Sequence, residues 1–276
     1  MFGCSIWLNL FVPYCADLGA MVLTRYQCPV FDQPSLRVPL RLRRLRDKAY
    51  KRTQQQTGKR QEKIFLEFWV GPRHLGGGRV GKAVEQLGWP VLQFDNTEDA
   101  LDATHPAVFA EVRTWIGNGM VAGVFLAPPC TTWSIASQRP PLRDHYYLYG
   151  CPGLSDALQE KVQQGNHEIQ IAFRLWASAA AADVPTMLEH PASSRIWQCD
   201  PNDWEPTAAD LFYEGVLDTI HQCRYGAPWR KPTNFFSLNT KPAWEASLMT
   251  CFWGPACHGT RPPIRQDPAQ QGVRKG

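Results

Sequence analysis

An α/β fold with a mostly parallel, doubly wound sheet is predicted by two features of the sequence. From Lys63 onward, short apolar runs alternate with longer segments of helical periodicity, which is typical of βαβ units. A glycine-rich turn follows the first apolar run, where such a sheet commonly approaches a ligand. With 276 residues, 44% of them hydrophobic, the chain can bury one sizeable core.

The individual elements follow from these patterns in chain order. KIFLEF is predicted as the first strand, and VGPRHLGGGR leads into a helix, VGKAVEQLG, closed by Gly88. PVLQFD is the second strand. The segment PAVFAEVRTWIGNG is predicted as a helix because its apolar residues Val108, Val112, Trp115 and Ile116 share one face.

The second half of the chain continues the alternation. VAGVFLA is predicted as a buried strand that ends at the Pro-Pro-Cys segment. A loop from Gln138 to Leu154 precedes a long helix from about Asp156 to Ala182, and VPTMLEHP forms the next strand. One more strand and a sharp turn are predicted within LDTIHQCRYGAPWRKPT. The domain therefore extends over residues 64–250, and the tail 251–276 is predicted to be poorly ordered.

Residues 1–63 are predicted to be a poorly ordered N-terminal extension with a basic arm. Residues 37–63 contain 11 Lys or Arg against 2 acidic residues, a local balance of +9, within a chain whose formal net charge is +4. Such a run is typical of a solvated arm. Its functional interpretation is a nuclear-import or phosphate-binding segment, because clustered cations gain affinity for nucleic acid by counterion release. The candidate contacts in this arm are Arg41, Arg43, Arg44 and Arg46.

Composition argues against several classes of protein. No stretch approaches the roughly 18 apolar residues of a membrane span, and the opening segment lacks the basic region of a signal peptide. The 9 cysteines are scattered, odd in number and without a CxxC pair, so we predict no metal site and reduced, intracellular thiols.

The residues at the strand ends are the candidates for chemistry, because ligands of open α/β sheets bind beyond the carboxyl ends of the strands. They are Glu67 to Gly71, Asp95, Pro128 to Cys130, Glu189 and the YGAPWRKPT turn. A glycine-rich turn followed by an acid at the next strand end suits a nucleoside-containing cofactor.

In this order the motifs resemble those of the S-adenosylmethionine-dependent cytosine-5 DNA methyltransferases, in a short variant of the viral and mobile-element kind. The resemblance spans about residues 64–235. It rests on LEFWVG, VLQFD, LDATHP, APPCTTWS, LEHPASSRIW and CRYGAPWRKPT. It implies a Rossmann-like methyltransferase fold, an S-adenosylmethionine cofactor, a DNA substrate and a monomeric enzyme. A nuclear location is suggested by the basic arm alone.

The resemblance also implies roles for single residues. The cofactor-binding residues would be Glu67, Trp69, Gly71, Asp95, Asp102 and Pro128, with Trp69 against the adenine. Cys130 would be the nucleophile, Glu189 the acid that faces N3 of cytosine, and Arg230 the cation that holds the base or orients Glu189. Arg139 and Arg143, in the loop after Cys130, would contact the nucleic acid.

Two alternatives to this function stay open. One is a catalytically degenerate fold that binds nucleic acid through its basic arm. The other is a methyltransferase that acts on an adenine amino group or on RNA. For Cys130 itself the alternative is simple packing, because free cysteines are small and bury readily.

Overall fold

The computed structural model describes residues 37–71, 78–96, 101–135, 141–206, 209–221 and 232–240. The chain divides into two units, residues 1–35 and 36–276, and every described residue belongs to the second. Predictions for residues 1–36, for the glycine-rich turn 72–77 and for the tail 251–276 lie outside the described residues.

Helices and strands alternate along the described part of the chain. In order they are α1 (Arg37–Thr57), β1 (Ile64–Phe68), α2 (Arg79–Gln86), β2 (Val91–Phe94), α3 (Pro106–Gly117), β3 (Val121–Leu126), α4 (Asp156–Ala181), β4 (Thr186–Pro191), α5 (Ala209–Glu214), β5 (Val216–His221) and β6 (Pro232–Leu238). Short 3-10 turns at Arg195–Gln198 and Pro201–Asp203 follow β4.

The strands form one mixed sheet in the order β2-β1-β3-β4-β6-β5. Neighbours among β2, β1, β3 and β4 are parallel, whereas β6 pairs antiparallel with both β4 and β5. The predicted α/β class with a mostly parallel sheet is confirmed. The sequence did not predict β6, because its buried polar residues Thr233, Asn234 and Ser237 interrupt the apolar pattern of a core strand.

Helix α3 illustrates how local sequence sets an element. The Nδ1 atom of His105 accepts a hydrogen bond from the backbone N–H of Ala107 at 3.2 Å, and Pro106 occupies the first turn, where it needs no donor. The helix ends at Gly117, and its C-cap Asn118 precedes Gly119, which has a φ of 68°. Its predicted apolar stripe is buried, which confirms the periodicity argument.

The core lies between the sheet and helices α3 and α4. Leu66, Leu126 and Leu188 are fully buried on one face of the sheet, and burial of each such side chain contributes roughly 1.5–3 kcal/mol. Trp176 of α4 stacks on Phe236 of β6 with ring centroids 4.6 Å apart. Although α4 has 26 residues, no helix of the described ranges is both long and apolar enough to cross a bilayer.

Residues 37–57 form helix α1, so the prediction of a poorly ordered arm outside the core is wrong for this segment. Leu42, Ala49 and Thr53 are buried along one side of the helix. Arg43 donates from Nε and Nη2 to the carboxylate of Glu111 on α3, at 2.6 and 2.9 Å. The high density of cations on the other side of the helix concealed this stripe in the sequence.

The ion pair between Arg43 and Glu111 predicts an acid-sensitive attachment of α1. The hydrogen bond from Arg43 holds the pKa of Glu111 below its ordinary value, even though burial opposes this. A lowered carboxyl pKa stabilises the fold above the unfolded value, about 4.3, and this stabilisation is lost as the pH falls through the folded value. We therefore expect Glu111→Gln to lower the urea midpoint at pH 7 and to change it far less near pH 3.

Glu85→Gln is the matched control for this measurement. Glu85 pairs with Arg52 of α1, but the Glu85 side chain is 34% exposed whereas that of Glu111 is 9% exposed, and ion pairs that solvent reaches contribute little to stability. An equal loss of stability for both variants at pH 7 would contradict the special role of the Glu111 pair.

Candidate active site

The carboxyl ends of four parallel strands meet at one edge of the sheet. The register pairs Phe68 of β1 with Phe94 of β2 and with Leu126 of β3, and Leu126 with Leu188 of β4. Residues that follow these positions therefore lie along the same edge. Asp95, the Pro128–Cys130 segment and Glu189 are among them, as the strand order of a doubly wound sheet predicts.

Cys130 lies at the rim of this edge rather than in the core. The chain leaves β3 with Ala127 N–H bonded to Phe68 O at 3.2 Å, after which Pro128 is buried and Pro129 and Cys130 are half-buried. The Cys130 thiol forms no disulfide. Its carbonyl accepts hydrogen bonds from Trp133 N and Ser134 N, at 3.1 and 2.9 Å, which close a tight turn directly after the thiol.

Helix α4 contacts the turn after Cys130 and holds it in place. The indole N–H of Trp133, a fully buried residue, donates to Gly165 O of α4 at 3.0 Å. A Cβ atom at Gly165 would stand 2.3 Å from Thr132 Oγ1, so only glycine lets the helix approach the turn this closely. Glycine inside a helix costs about 1 kcal/mol relative to alanine, and the close contact explains why it is present.

Arg143 locks the same turn to the following loop, and its predicted contact with nucleic acid is wrong. The side chain is fully buried, and its guanidinium donates to Thr132 O, Thr132 Oγ1, Leu148 O, Val162 O and Asn166 Oδ1 at 2.5–3.0 Å. It also lies 3.7 Å from the centroid of the Trp133 ring. Burial lowers the pKa of Arg143 to about 10. A guanidinium enclosed in this way cannot reach a phosphate.

The loop after β4 is joined to the turn after Cys130. Ser134 and Ser194 form an isolated antiparallel bridge, and Arg195 N–H donates to Trp133 O at 3.1 Å. Glu189 lies on β4, half-buried, opposite Phe235 of β6. The structure therefore brings together the two chain segments that carry the predicted thiol and the predicted acid.

Glu67 is buried within β1, where it holds the start of α2. Its Oε2 accepts hydrogen bonds from Gly81 N at 2.9 Å and from Gln93 Nε2 at 2.7 Å. Burial raises the pKa of Glu67, and these bonds oppose the increase. A Cβ at Gly81 would lie 2.4 Å from the same oxygen, so this glycine serves the packing of Glu67. Contact between Glu67 and a cofactor stays a prediction.

Trp69 is a strained residue directly after β1. Its φ of 57° is unusual for a bulky side chain, and such conformations cost about 1–3 kcal/mol and cluster at functional sites. Trp69 is 7% exposed, and its indole N–H has no hydrogen-bond partner among the described residues. Gly71, two residues later, also has a positive φ, 68°. This buried ring does not form an open platform, so its contact with adenine stays a prediction.

The edge also holds a buried carboxyl that the sequence interpretation missed, Glu168 of α4. Its Oε1 accepts from Asn96 Nδ2 at 2.9 Å and from Gln164 Nε2 at 3.0 Å. Burial raises the pKa of Glu168, and the negative charge of Asp102 raises it further. The sequence contained a signal for this residue. Glu168 lies three residues after Gly165 and one before Ile169, so helical spacing places it on the buried face of α4.

Asp102 is half-buried and stabilises its own loop. One carboxylate oxygen accepts from Thr104 N at 2.8 Å and from Thr104 Oγ1 at 2.7 Å. The backbone N–H of Asp95 donates to Leu101 O at 3.1 Å, so the ends of β2 and of this loop adjoin. Asp95 and Asp102 thus flank one part of the edge, near Glu168.

Two predicted site residues, Arg139 and Arg230, lie outside the described residues. Within the described ranges, no three His, Cys, Asp or Glu side chains are grouped as metal ligands would be. The chain matches no protein-family model and no curated protein. Its chemistry must therefore be inferred from the residues of the edge.

Proposed function

We propose that the chain transfers a methyl group from S-adenosylmethionine to C5 of cytosine in DNA. The observation that carries this proposal is the joining of two strand ends. The turn that follows Cys130 is hydrogen-bonded to the loop that follows Glu189, through Trp133 O and Arg195 N. A half-buried thiol and a half-buried carboxyl on adjoining segments provide a nucleophile and an acid for one bound base.

The chemistry assigned to these residues follows from the electronic structure of cytosine. C5 is not nucleophilic in the free base, but addition of the Cys130 thiolate at C6 converts the ring to an enamine. Glu189 donates a proton toward N3 and neutralises the charge that the addition creates. S-adenosylmethionine, when bound, would supply an electrophilic methyl group to C5 and would leave as the thioether S-adenosylhomocysteine. Loss of the C5 proton to a base from solvent, with return of the N3 proton to Glu189, then lets the thiolate leave C6 and restores the ring.

The described residues near the edge fit a nucleoside-containing cofactor. Strands β2 and β3 lie on opposite sides of β1, so the chain reverses its winding direction there, and such switch points commonly bind ligands. Asp95 and Asp102 offer carboxylates for hydroxyl groups, and the unpartnered N–H of Trp69 offers a donor. With Gly71 and Pro128, these residues would hold the cofactor in a Rossmann-like arrangement.

A catalytically inactive fold that binds nucleic acid is the second candidate, and one observation favours it. The carboxylate oxygen of Glu67 that faces α2 is already occupied by Gly81 and Gln93. With both bonds formed, Glu67 has less capacity to bind the cofactor, and the affinity would depend on Asp95 and Asp102.

Calorimetric titration together with a methyl-transfer assay tests the proposal. We expect saturable binding of S-adenosylmethionine, weakened at least tenfold by Asp95→Ala, because about 1.4 kcal/mol of lost hydrogen bonding corresponds to tenfold in affinity. We also expect labelled methyl to appear as 5-methylcytosine in duplex DNA. Label in N6-methyladenine or only in RNA would assign another acceptor, and absence of cofactor binding up to millimolar concentration would favour the inactive fold.

A further inference from the structure

Four cations form a straight row on the exposed side of α1. Arg41, Arg44, Lys48 and Lys51 are all exposed, and their spacing of three, four and three residues places them on one side of the helix. At 1.5 Å per residue the row is about 15 Å long. We call this row the cationic face.

The cationic face differs from the other charges of α1 in its contacts. Arg43 pairs with Glu111, Arg52 with Glu85, and Arg46 with Asp47. Arg46 also places its guanidinium 5.0 Å from the centroid of Trp115. By contrast, none of the four cations of the face forms an ion pair with an acid in the described part of the chain. The predicted nucleic-acid residues Arg43 and Arg46 therefore belong to the attachment of α1.

Helix stability alone does not account for this arrangement. Like charges three or four residues apart on a helix are destabilising, and the cationic face contains three such consecutive pairs. The first turn of α1 carries no acid that would favour the helix dipole. A ligand with closely spaced negative charges would remove this repulsion. The buried side chain of Leu42 and the bond from Arg43 to Glu111 fix α1 on the domain, so the four cations stay on its exposed side.

Helix α1, which carries the cationic face, contacts the edge of the sheet opposite Cys130 through residues on another side of the helix. Tyr50 donates to Glu62 O just before β1 at 3.0 Å, and Arg46 contacts the sulfur of Met120 just before β3. These residues mark the amino ends of the strands. Strands of this length, at about 3.3 Å per residue, separate the two edges by roughly 13–20 Å.

From the row, its unpaired charge and its position, we infer that the cationic face binds the phosphate backbone of duplex DNA as a second contact surface, separate from the Cys130 edge. The inference rests on the proposed function only for the choice of DNA. Phosphates supply a regular row of negative charge that matches a straight row of cations. The cationic face thus binds duplex DNA independently of the base that is processed at the Cys130 edge.

The test is the salt dependence of binding to a duplex of about 20 base pairs, two helical turns. Each phosphate contact contributes about 0.9 to the slope of log K against log salt. We expect the variant Arg41→Gln, Arg44→Gln, Lys48→Gln, Lys51→Gln to reduce the slope by about 3 to 4 between 50 and 200 mM NaCl. Anisotropy titration of both proteins in the Cys130→Ser background separates binding from chemistry.

A charge-matched control removes four exposed cations elsewhere, with Lys59→Gln, Lys82→Gln, Arg113→Gln and Lys161→Gln. We expect this control to change the slope by less than about 1, which is one contact. Arg41→Lys with Arg44→Lys keeps the charge and should keep the slope. Circular dichroism establishes that each variant is folded.

The outcomes separate this inference from the proposed function. Equal slopes for the face variant and the charge-matched control would overturn the cationic face as a specific surface. A larger loss on RNA of equal length than on DNA would overturn the choice of DNA. If the slope changes as expected but no methyl transfer occurs, the cationic face stands and the proposed function fails.

Discussion

Cys130→Ser is expected to abolish a covalent complex between the protein and a duplex that contains 5-fluorocytosine in place of the target cytosine. In the wild-type protein with S-adenosylmethionine, the complex should accumulate, because fluorine at C5 cannot be eliminated as the C5 proton would be. A serine hydroxyl is far less ionised than a thiol near neutral pH and is a poorer nucleophile toward C6. Denaturing gel electrophoresis of labelled duplex measures the adduct.

Cys151→Ser provides the matched control for this experiment. Cys151 is another half-buried free thiol, and it lies in the loop that Arg143 attaches to the Cys130 turn. We expect the Cys151 variant to form the adduct at the wild-type rate. Glu189→Gln should slow adduct formation about 10²- to 10⁴-fold, the usual contribution of a general acid, while cofactor binding persists. An adduct that forms with Cys130→Ser would exclude Cys130 as the nucleophile.

Arg143→Met is expected to destabilise the fold far more than the loss of any exposed arginine. Methionine leaves the buried carbonyls of Thr132, Leu148 and Val162 without the donor they use now. Each buried acceptor left without a donor costs about 1–3 kcal/mol, so we expect the three losses together to lower the free energy of unfolding by at least about 3 kcal/mol. Urea denaturation followed by tryptophan fluorescence measures this change.

Two further variants make the Arg143 prediction specific. Arg113→Met removes an exposed arginine whose guanidinium lies 5.6 Å from the Phe109 ring, and it should cost less than about 0.5 kcal/mol. Arg143→Lys keeps the charge but lacks the planar fork, so it should recover only part of the stability. Wild-type stability of Arg143→Met would show that water can replace the guanidinium. That result would contradict the claim that Arg143 holds the turn after Cys130 in place.

The strand ends could be predicted because they depend on periodicity, whereas the partners of charged side chains could not. Asp95 and Cys130 follow strands whose apolar runs are unambiguous, and parallel pairing then places both at one edge. Arg143 lies in a loop rich in proline and tyrosine, where an arginine normally faces solvent. Arg143 is buried only because the folded chain brings Thr132 and Val162 around its guanidinium.

Helix α1 shows a second limit of the sequence. Its stripe of Leu42, Leu45 and Ala49 is short, and most of the intervening residues are charged, so composition outweighed periodicity in the interpretation. Likewise, the strain at Trp69 arises from a backbone conformation that the residue type alone disfavours. Both features depend on where α3 and β2 lie, and no local pattern contains that information.

The antiparallel insertion of β6 has a consequence for the order in which the protein assembles. In the described sheet β5 pairs only with β6, from Val216 with Ser237 to His221 with Pro232, so the two strands form a local hairpin. During synthesis, β1 to β4 can associate before this hairpin emerges, with the edge of β4 still unpaired. Cys130 and Glu189 belong to the part of the chain that emerges first, and docking of the hairpin onto the open edge of β4 completes the sheet only afterwards, so this edge would be the last part of the sheet to be covered.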